Sequence, residues 1–512
     1  MTNIILKTVK ELNEWRITNQ KNISFIPTMG NLHLGHKELI CKAKKSKQNL
    51  LLLSIFINPL QFNDKDDLRN YPRTINKDID LAFNSGVDAI FIPFDNEIFP
   101  KNEETIKYQK ASEDLSQTLC GLFREGHFDG VCTVIYRLLD IVKPETIFLG
   151  EKDWQQLIII KEMIAKQKIS VSIKTINTQR DKDGVPFSSR NNLLIKSDRE
   201  KLKLFSTELI KSKKIFNQTK KIDLNKLIKR LIDKDIQIEY LEHVNAFDLK
   251  RATSEINITM LAGAIICGST RLIDHVFLMK RNPIIAIDGP AGSGKSTVTK
   301  LIAKKLNFIF LDTGAMYRAL SWYLLQEKIN YDNGKELNSF LNNISITFQS
   351  GGGSKQHVII NNYDVTEKIR SQEISSIVSS IASIKEVREF LVKEQRKIGE
   401  TGGIVAEGRD IGTKVFPNAE LKIFLTATIN ERAKRRKIEL EEMGEGIIDF
   451  EKLKNEIEKR DFDDSNRKLS PLIKAEDAIE IITDGNTVSQ VVEKILEIYL
   501  ETIPKELQHK IK

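Results

Sequence analysis

The sequence predicts two successive α/β units, each built on a parallel sheet of the nucleotide-binding type. Three observations carry that prediction. Up to about residue 176 short apolar runs alternate with helical patterns, the order of a doubly wound sheet. A second series opens after Pro283 with an apolar run, a glycine-rich turn and a helical pattern. At 512 residues the chain is too long for one ordinary domain.

Strands are expected at 24–27, 50–57, 89–92, 146–149 and 171–176, making a Rossmann-like domain over 1–177. A Lys-rich helical stretch at 202–232 and then a short α/β unit ending around 272–274 suggest a small α/β subdomain over 178–279. Lys280-Arg281-Asn282-Pro283 reads as the joint, because Pro283 fixes the chain just before a new first strand. The second domain, 284–512, has further strand patterns at 308–311, 404–406 and 421–425. A β insertion at 344–361 carries the turn Gly351-Gly352-Gly353. No internal repeat is visible.

Composition narrows the class. Seventy-nine basic against 70 acidic residues leave a net charge of +9, spread along the chain. That suits phosphorylated, anionic substrates and is a poor argument for nucleic acid. No long apolar run suggests a membrane span, and the N-terminus lacks the pattern of a leader, so a cytoplasmic location is expected. Cys41, Cys120, Cys132 and Cys267 form no C-x-x-C pair and are expected to be reduced and mostly buried.

Gly289 to Ser296 reads G-x-x-x-x-G-K-S between a strand and a helix. Gly289, Gly292 and Gly294 let backbone N–H groups of the loop, with Ser293 and Thr297 beside it, converge on phosphate oxygens. Lys295 is expected to reach the β- and γ-phosphates as a catalytic cation, and Ser296 to hold Mg²⁺. The loop alone does not separate kinase, GTPase and ATPase. Downstream, Thr313 and Arg318 follow a strand, and Glu407 stands at a strand end where it could hold a magnesium-bound water. Arg409 and Asp410 come next, then the basic run 432–436 and the Arg/Asp run 460–467. Converging arginines neutralise the charge of a transferring phosphoryl group.

In the first half, His33-Leu34-Gly35-His36 follows a strand and opens a helix. Two imidazoles beside first-turn N–H groups can donate to a triphosphate as charge moves onto leaving pyrophosphate. Gly35 permits an adenine ring to lie close to the backbone. The motif alone also fits a nucleotidyltransferase, a metal site or surface histidines. Gly150-Glu151-Lys152-Asp153 follows a strand end, where open α/β sheets bind ligands. Lys152 offers a cation to phosphate, and Asp153 an acceptor for a ribose hydroxyl or the adenine. Phe187-Ser188-Ser189-Arg190 follows a turn and reads as a mobile cationic loop, with Pro186 as a stiffener.

These segments, with 27–30, 56–62, Tyr71-Pro72-Arg73 and Gly126-His127-Phe128, resemble the pantoate–β-alanine ligase (pantothenate synthetase) family over about 1–279. The resemblance implies an HxGH nucleotidyltransferase-type domain and ATP-dependent adenylation of (R)-pantoate. Attack by β-alanine then gives pantothenate, AMP and diphosphate. It places Met29, Gly30, Asn31, Leu32, His33, Leu34, Gly35, His36, Gly150, Glu151, Lys152, Asp153, Phe187, Ser188, Ser189 and Arg190 around ATP. His33, His36, Lys152 and Arg190 are its catalytic groups, His36 being the proton donor. Met29, Gln61 and Gln156 fall at its pantoate and β-alanine positions, and it implies a homodimer through this half. A fixed amide both donates and accepts, which suits a hydroxy acid.

The second half resembles bacterial-type cytidylate kinase, a P-loop nucleoside-monophosphate kinase, over about 283–512. That resemblance implies a CMP or dCMP site at Thr313, Arg318, Arg388, Arg409, Asp410, Arg460, Asp464 and Arg467. It also implies a monophosphate-binding insertion near 330–395, a lid near 430–467, and Mg²⁺ carried with ATP at Ser296 and Glu407.

Overall fold

The structure, a computed structural model, describes residues 4–45, 48–63, 65–100, 107–331, 333–350, 356–442, 449–467 and 469–508. Its contacts separate two compact units. The first comprises residues 4–280 together with Pro504–Gln508; the second comprises Arg281–Ile503.

The first unit is built on β1 (Ile4–Leu6), β2 (Ile23–Thr28), β3 (Leu50–Ile55), β4 (Ala89–Phe91), β5 (Thr146–Gly150) and β6 (Ser172–Ile176). They form one parallel sheet in the order β1-β4-β3-β2-β5-β6. Phe25 and Ile26 point to opposite faces of β2 and both are fully buried, so the sheet is covered on both sides. The three-residue β1 lies at the edge and has no apolar alternation long enough to announce it. From β2 the chain steps outward through β3 and β4, then crosses back to β5. The order therefore reverses between β2 and β5, leaving a crevice at their carboxyl ends.

The remainder of this unit is a three-stranded antiparallel sheet, β7 (Gln237–Asn245), β8 (Ile258–Cys267) and β9 (Thr270–Met279). Helices Lys196–Thr219 and Leu224–Ile232 bury Leu202, Phe205, Leu209, Leu227 and Leu231 in a core shared with Leu261 and Ile265. The Trp154 indole N–H donates to the Ala246 carbonyl at 2.5 Å, and Arg180 holds Asp274 through two 2.8 Å bonds.

The second unit is built on β10 (Ile284–Asp288), β11 (Ile309–Asp312), β15 (Ile404–Gly408), β16 (Leu421–Thr426) and β17 (Ile479–Ile482). They form a five-stranded parallel sheet in the order β11-β15-β10-β16-β17. The expected insertion is a separate antiparallel sheet of β12 (Ile346–Ser350), β13 (Gln356–Ile360) and β14 (Tyr363–Asp364). Its glycine turn at 351–353 lies outside the described residues. Helices Ile429–Glu442 and Phe450–Asn466 carry the two arginine-rich runs. Cys120, Cys132 and Cys267 are buried and Cys41 is exposed, all as free thiols. Among the described residues no helix is long and apolar enough to cross a membrane.

Two candidate active sites

In the first unit a cavity of about 360 Å³ opens at the β2/β5 crevice. Met29, Gly30, His33, Gly35, His36, Gln61, Gly150, Lys152, Asp153, Gln156, Phe187, Ser188, Ser189 and Arg190 line it. Four expected residues do not. Leu34 is exposed, and Glu151 is buried away from the cavity. Asn31 and Leu32 shape the turn through their backbone, both N–H groups donating to the Asp78 carboxylate at 2.8 Å, and Asn31 also uses its side chain. Buried Asp78 thereby shapes the turn after β2, where Gly30 (φ +82°) and Asn31 (φ +49°) are left-handed. Its signal is a lone acid on the buried face of the helix Ile75–Asn84.

The two histidines report their own tautomers. The Gly35 N–H donates to His33 Nδ1 at 3.1 Å, and the His33 N–H donates to His36 Nδ1 at 3.3 Å. Each Nδ1 is an acceptor, so in the neutral ring the proton sits on Nε2. Burial, then the Lys152 charge, lowers His33 to about 4; burial, then His33, lowers His36 to about 3. Both rings are therefore neutral Nε2–H donors at physiological pH. Gly35 is needed for this packing, since a Cβ there would lie 2.9 Å from the His33 ring.

Lys152 Nζ lies 3.1 Å from Asp153 Oδ1 in the same cavity. The loop expected to be mobile is tied down in this structure. Ser189 Oγ donates to the Asn31 carbonyl at 3.1 Å, Asn31 Nδ2 donates to the Ser189 carbonyl at 2.7 Å, and Arg190 pairs with Asp67 at 2.7 Å. Gln61 is held from several sides. Its Nε2 donates to Met29 Sδ at 3.0 Å, and its Oε1 accepts from Asn58 Nδ2 at 3.1 Å. Arg124 donates to both His127 Nε2 (3.0 Å) and the Gln61 carbonyl (3.2 Å). The proton of His127 is therefore on Nδ1, which donates to the same carbonyl at 2.7 Å. Both neighbouring glutamines line the cavity, but the Gln155 amide is already bonded to Leu115, Thr118 and Cys120.

In the second unit the loop after β10 has Gly289 at φ +150°, Gly292 at +74° and Gly294 at +87°. A Cβ on Gly289 would come within 2.0 Å of the Leu425 carbonyl oxygen of neighbouring β16. Lys295 Nζ donates to the Pro290 carbonyl at 2.5 Å, across the loop, and Ser293 Oγ donates to the same oxygen at 3.0 Å. Ser296 and Thr297 occupy the first turn of the helix Lys295–Leu306. Ser296 Oγ donates to Glu407 Oε1 at 2.7 Å, while Glu407 Oε2 is buried without a hydrogen-bond partner among the described residues. Burial, then Asp312, pushes Glu407 up to about 7.

The expected monophosphate residues converge in charge-compensated pairs. Arg388 pairs with Asp410 and lies over the Tyr317 ring; Arg409 Nε donates to Asp464 at 2.8 Å; Arg467 NH1 lies 3.8 Å from Asp464. Arg460 is lowered by burial and then by the Arg409 charge, which places it in the same cluster. Thr313 Oγ1 donates to the Glu407 carbonyl at 2.7 Å. Arg318 pairs with Asp312 at 3.1 Å and lines a second cavity, of about 330 Å³, with Lys300, Gln356 and Arg370. Arg432 binds Asp461 and donates to the Ala291 carbonyl of the glycine loop at 3.1 Å. Asp78, Arg124 and Arg370 lie outside every motif of the sequence, whereas Asn58 and Asp461 fall within the 56–62 and 460–467 runs without having been singled out.

Fold and sites define a tandem of ATP-using enzymes, an α/β ligase followed by a P-loop kinase. Residues 4–277 match the pantoate-beta-alanine ligase family and residues 285–501 match cytidylate kinase. A bifunctional pantoate ligase/cytidylate kinase of Prochlorococcus marinus subsp. pastoris (strain CCMP1986 / NIES-2087 / MED4) is 63% identical, across 99% of this chain and 100% of its own. Proteins of the same description from Prochlorococcus marinus strains MIT 9215 and NATL1A are 61% and 48% identical. They cover 100% and 99% of this chain, and the same shares of their own. A solved pantothenate synthetase from Thermus thermophilus is 29% identical over 53% of this chain and 98% of its own, with a TM-score of 0.49. The chain belongs to the bifunctional pantoate ligase/cytidylate kinase family. It is a bifunctional enzyme, a pantoate–β-alanine ligase followed by a cytidylate kinase.

Proposed function

We propose that ATP and (R)-pantoate meet in the β2/β5 cavity and that pantoate is activated there as its adenylate. The observation that carries this reading is the pair of Nε2–H donors on His33 and His36 that line one cavity together with Lys152. A pantoate carboxylate oxygen attacks the α-phosphorus, the bond to the β-phosphate oxygen breaks, and diphosphate leaves with the electron pair. His33, His36 and Lys152 hold the phosphate oxygens as that charge develops. Asp153 accepts from ribose or adenine. Arg190, moving from Asp67 to the departing phosphates, joins Ser188 and Ser189 there, with Phe187 on the cavity wall. Gln61 and Gln156, beside Met29, hold pantoate. The β-alanine amine then attacks the acyl carbon, AMP leaves and the amine sheds a proton.

In the second unit the glycine loop, with Lys295, cradles ATP. Thr313, Arg318, Arg388, Arg409, Asp410, Arg460, Asp464 and Arg467 hold CMP or dCMP. A phosphate oxygen of the monophosphate attacks the γ-phosphorus and ADP leaves. Ser296 Oγ and the unpartnered Glu407 Oε2 fit an Mg²⁺ ion, which would neutralise phosphate charge when bound. Among the described residues no three acidic, His or Cys side chains gather as a metal site, so nucleotide and water would supply the other ligands. The domain limits 1–177, 178–279 and 284–512 and a cytoplasmic location, both read from the sequence pattern, and a dimer through the first half, implied by the resemblance, complete the proposal.

The test uses full-length protein in two assays, pantoate-dependent AMP and pantothenate formation, and CDP formation from CMP. His36→Ala should abolish the first alone and Lys295→Ala the second alone. A stable adenylylated product in place of AMP would instead indicate nucleotidyl transfer.

A further inference from the structure

One buried carboxylate beside the ligase cavity has no part in that chemistry. Glu151 stands between Gly150 and Lys152, both on the cavity wall, yet it is only 2% exposed. Its Oε1 accepts from Thr175 Oγ1 at 2.8 Å. Its two oxygens also accept from the backbone N–H of Lys505, at 3.1 and 3.0 Å. Lys505 comes 354 positions later, beyond the helix Val488–Thr502, and opens the short helix Lys505–Leu507.

The same segment makes a second attachment to the first unit. Glu506 Oε1 accepts from the Phe277 N–H at 2.8 Å and pairs with Lys213 at 2.8 Å. Phe277 packs edge-on against Trp154, ring centroids 4.6 Å apart. Glu151 and Trp154 flank Lys152 and Asp153, so the segment meets the turn directly at Glu151 and is linked to its far end through Phe277. A buried carboxylate must be matched by donors or it turns outward to water. Glu151 opens the single short turn Glu151–Asp153 that carries both cavity residues, so its anchoring bears on their placement.

We infer that Pro504–Gln508, the stretch that follows the last kinase helix, is a working part of the ligase site. Its Lys505 N–H holds Glu151 and its Glu506 holds Phe277, and together they position Lys152 and Asp153 for the nucleotide. This rests on the reading of those two residues as nucleotide-binding groups.

Proline supplies a selective probe, because it deletes an N–H. Lys505 is the first residue of its helix, where proline fits, and Pro504 is extended (φ −50°, ψ 135°), as a residue before proline must be. Lys505→Pro, Lys505→Arg and Glu506→Ala would be made in the full chain. Each is assayed for ligase KM(ATP) and kcat, and for CMP phosphorylation in the same preparation. The expected result is a rise of about tenfold in ligase KM(ATP) for Lys505→Pro, the scale of one hydrogen bond to a charged group. A smaller rise is expected for Glu506→Ala, with kinase parameters unchanged throughout. Lys505→Arg keeps both the N–H and the charge and should match the parent. A parental KM(ATP) in Lys505→Pro, an equal rise in Lys505→Arg, or a parallel loss of kinase activity would each overturn the inference. Lys152→Ala is run beside them: if it retains ligase activity, the reading of the cavity has failed rather than the role of the segment.

Discussion

At the scale of single residues, polar groups at the ligase site are defined by what holds them. A histidine with two free nitrogens has two neutral forms; His33, His36 and His127 each have one, because a backbone group or Arg124 occupies a specific nitrogen. His127 and Arg124 converge on the Gln61 carbonyl and set the direction of a side chain placed at the pantoate position. His127→Phe keeps a ring of similar size and removes that donor, at a loss of about 1–3 kcal/mol in the arrangement. Steady-state kinetics should then show KM for pantoate raised about tenfold, with KM for ATP nearly unchanged. Equal changes in both constants would mean that the ring only supports the fold. Gly126-His127-Phe128 stands out in the sequence, but the sequence offered no hint that the ring serves Gln61.

At the scale of elements, two backbone approaches determine where the loops stand. The helix His127–Val142 meets the turn Pro59–Gln61 at Gly130, where a Cβ would lie 2.3 Å from the Leu60 carbonyl oxygen. The glycine loop meets β16 at Gly289 in the same way. Each contact is with backbone, which cannot rotate aside. Gly130→Ala and Gly289→Ala should each destabilise their own unit by about 1–3 kcal/mol. The first should depress pantothenate formation and spare CDP formation; the second should do the reverse. Thermal denaturation with both assays checks the pair. Strand positions were legible because short, mostly apolar runs mark covered parallel strands, as Phe25-Ile26-Pro27 does in β2 and Leu50 to Leu53 in β3. The edge strand β1 was not, since three residues carry no period.

For the molecule as a whole, the buried histidines His127 and His275 of the first unit and the buried carboxylates Asp288 and Glu407 of the second should answer acid in opposite ways. Burial lowers His127 to about 3 and, as the largest cause, His275 to about 4. Unfolding therefore releases groups that take up protons. Their contribution is complete above the unfolded value near 6.5 and is lost as pH falls from there toward 4, about 1–2 kcal/mol each by pH 5. In the second unit burial raises Asp288 to about 6 and Glu407 to about 7. There the folded form binds protons more tightly, so their contribution grows as pH falls and is lost as pH rises through those values. Calorimetry at pH 7 and pH 5 should show the first unit's transition moving down relative to the second's. CMP with ATP identifies the kinase transition by stabilising it. Equal shifts of both transitions would contradict this account. The sequence by itself determined the α/β class, the two halves and the phosphate-binding motifs, because strand periods, glycine loops and H-x-G-H are local in the chain. Only the tertiary structure decided the partners: Asp78 beneath the turn, Asp67 on Arg190, the Arg/Asp pairs of the kinase, and Pro504–Gln508 against Glu151. Those contacts join residues far apart in sequence, and a buried charge selects its partner by distance and desolvation, neither of which is written in the order of the residues.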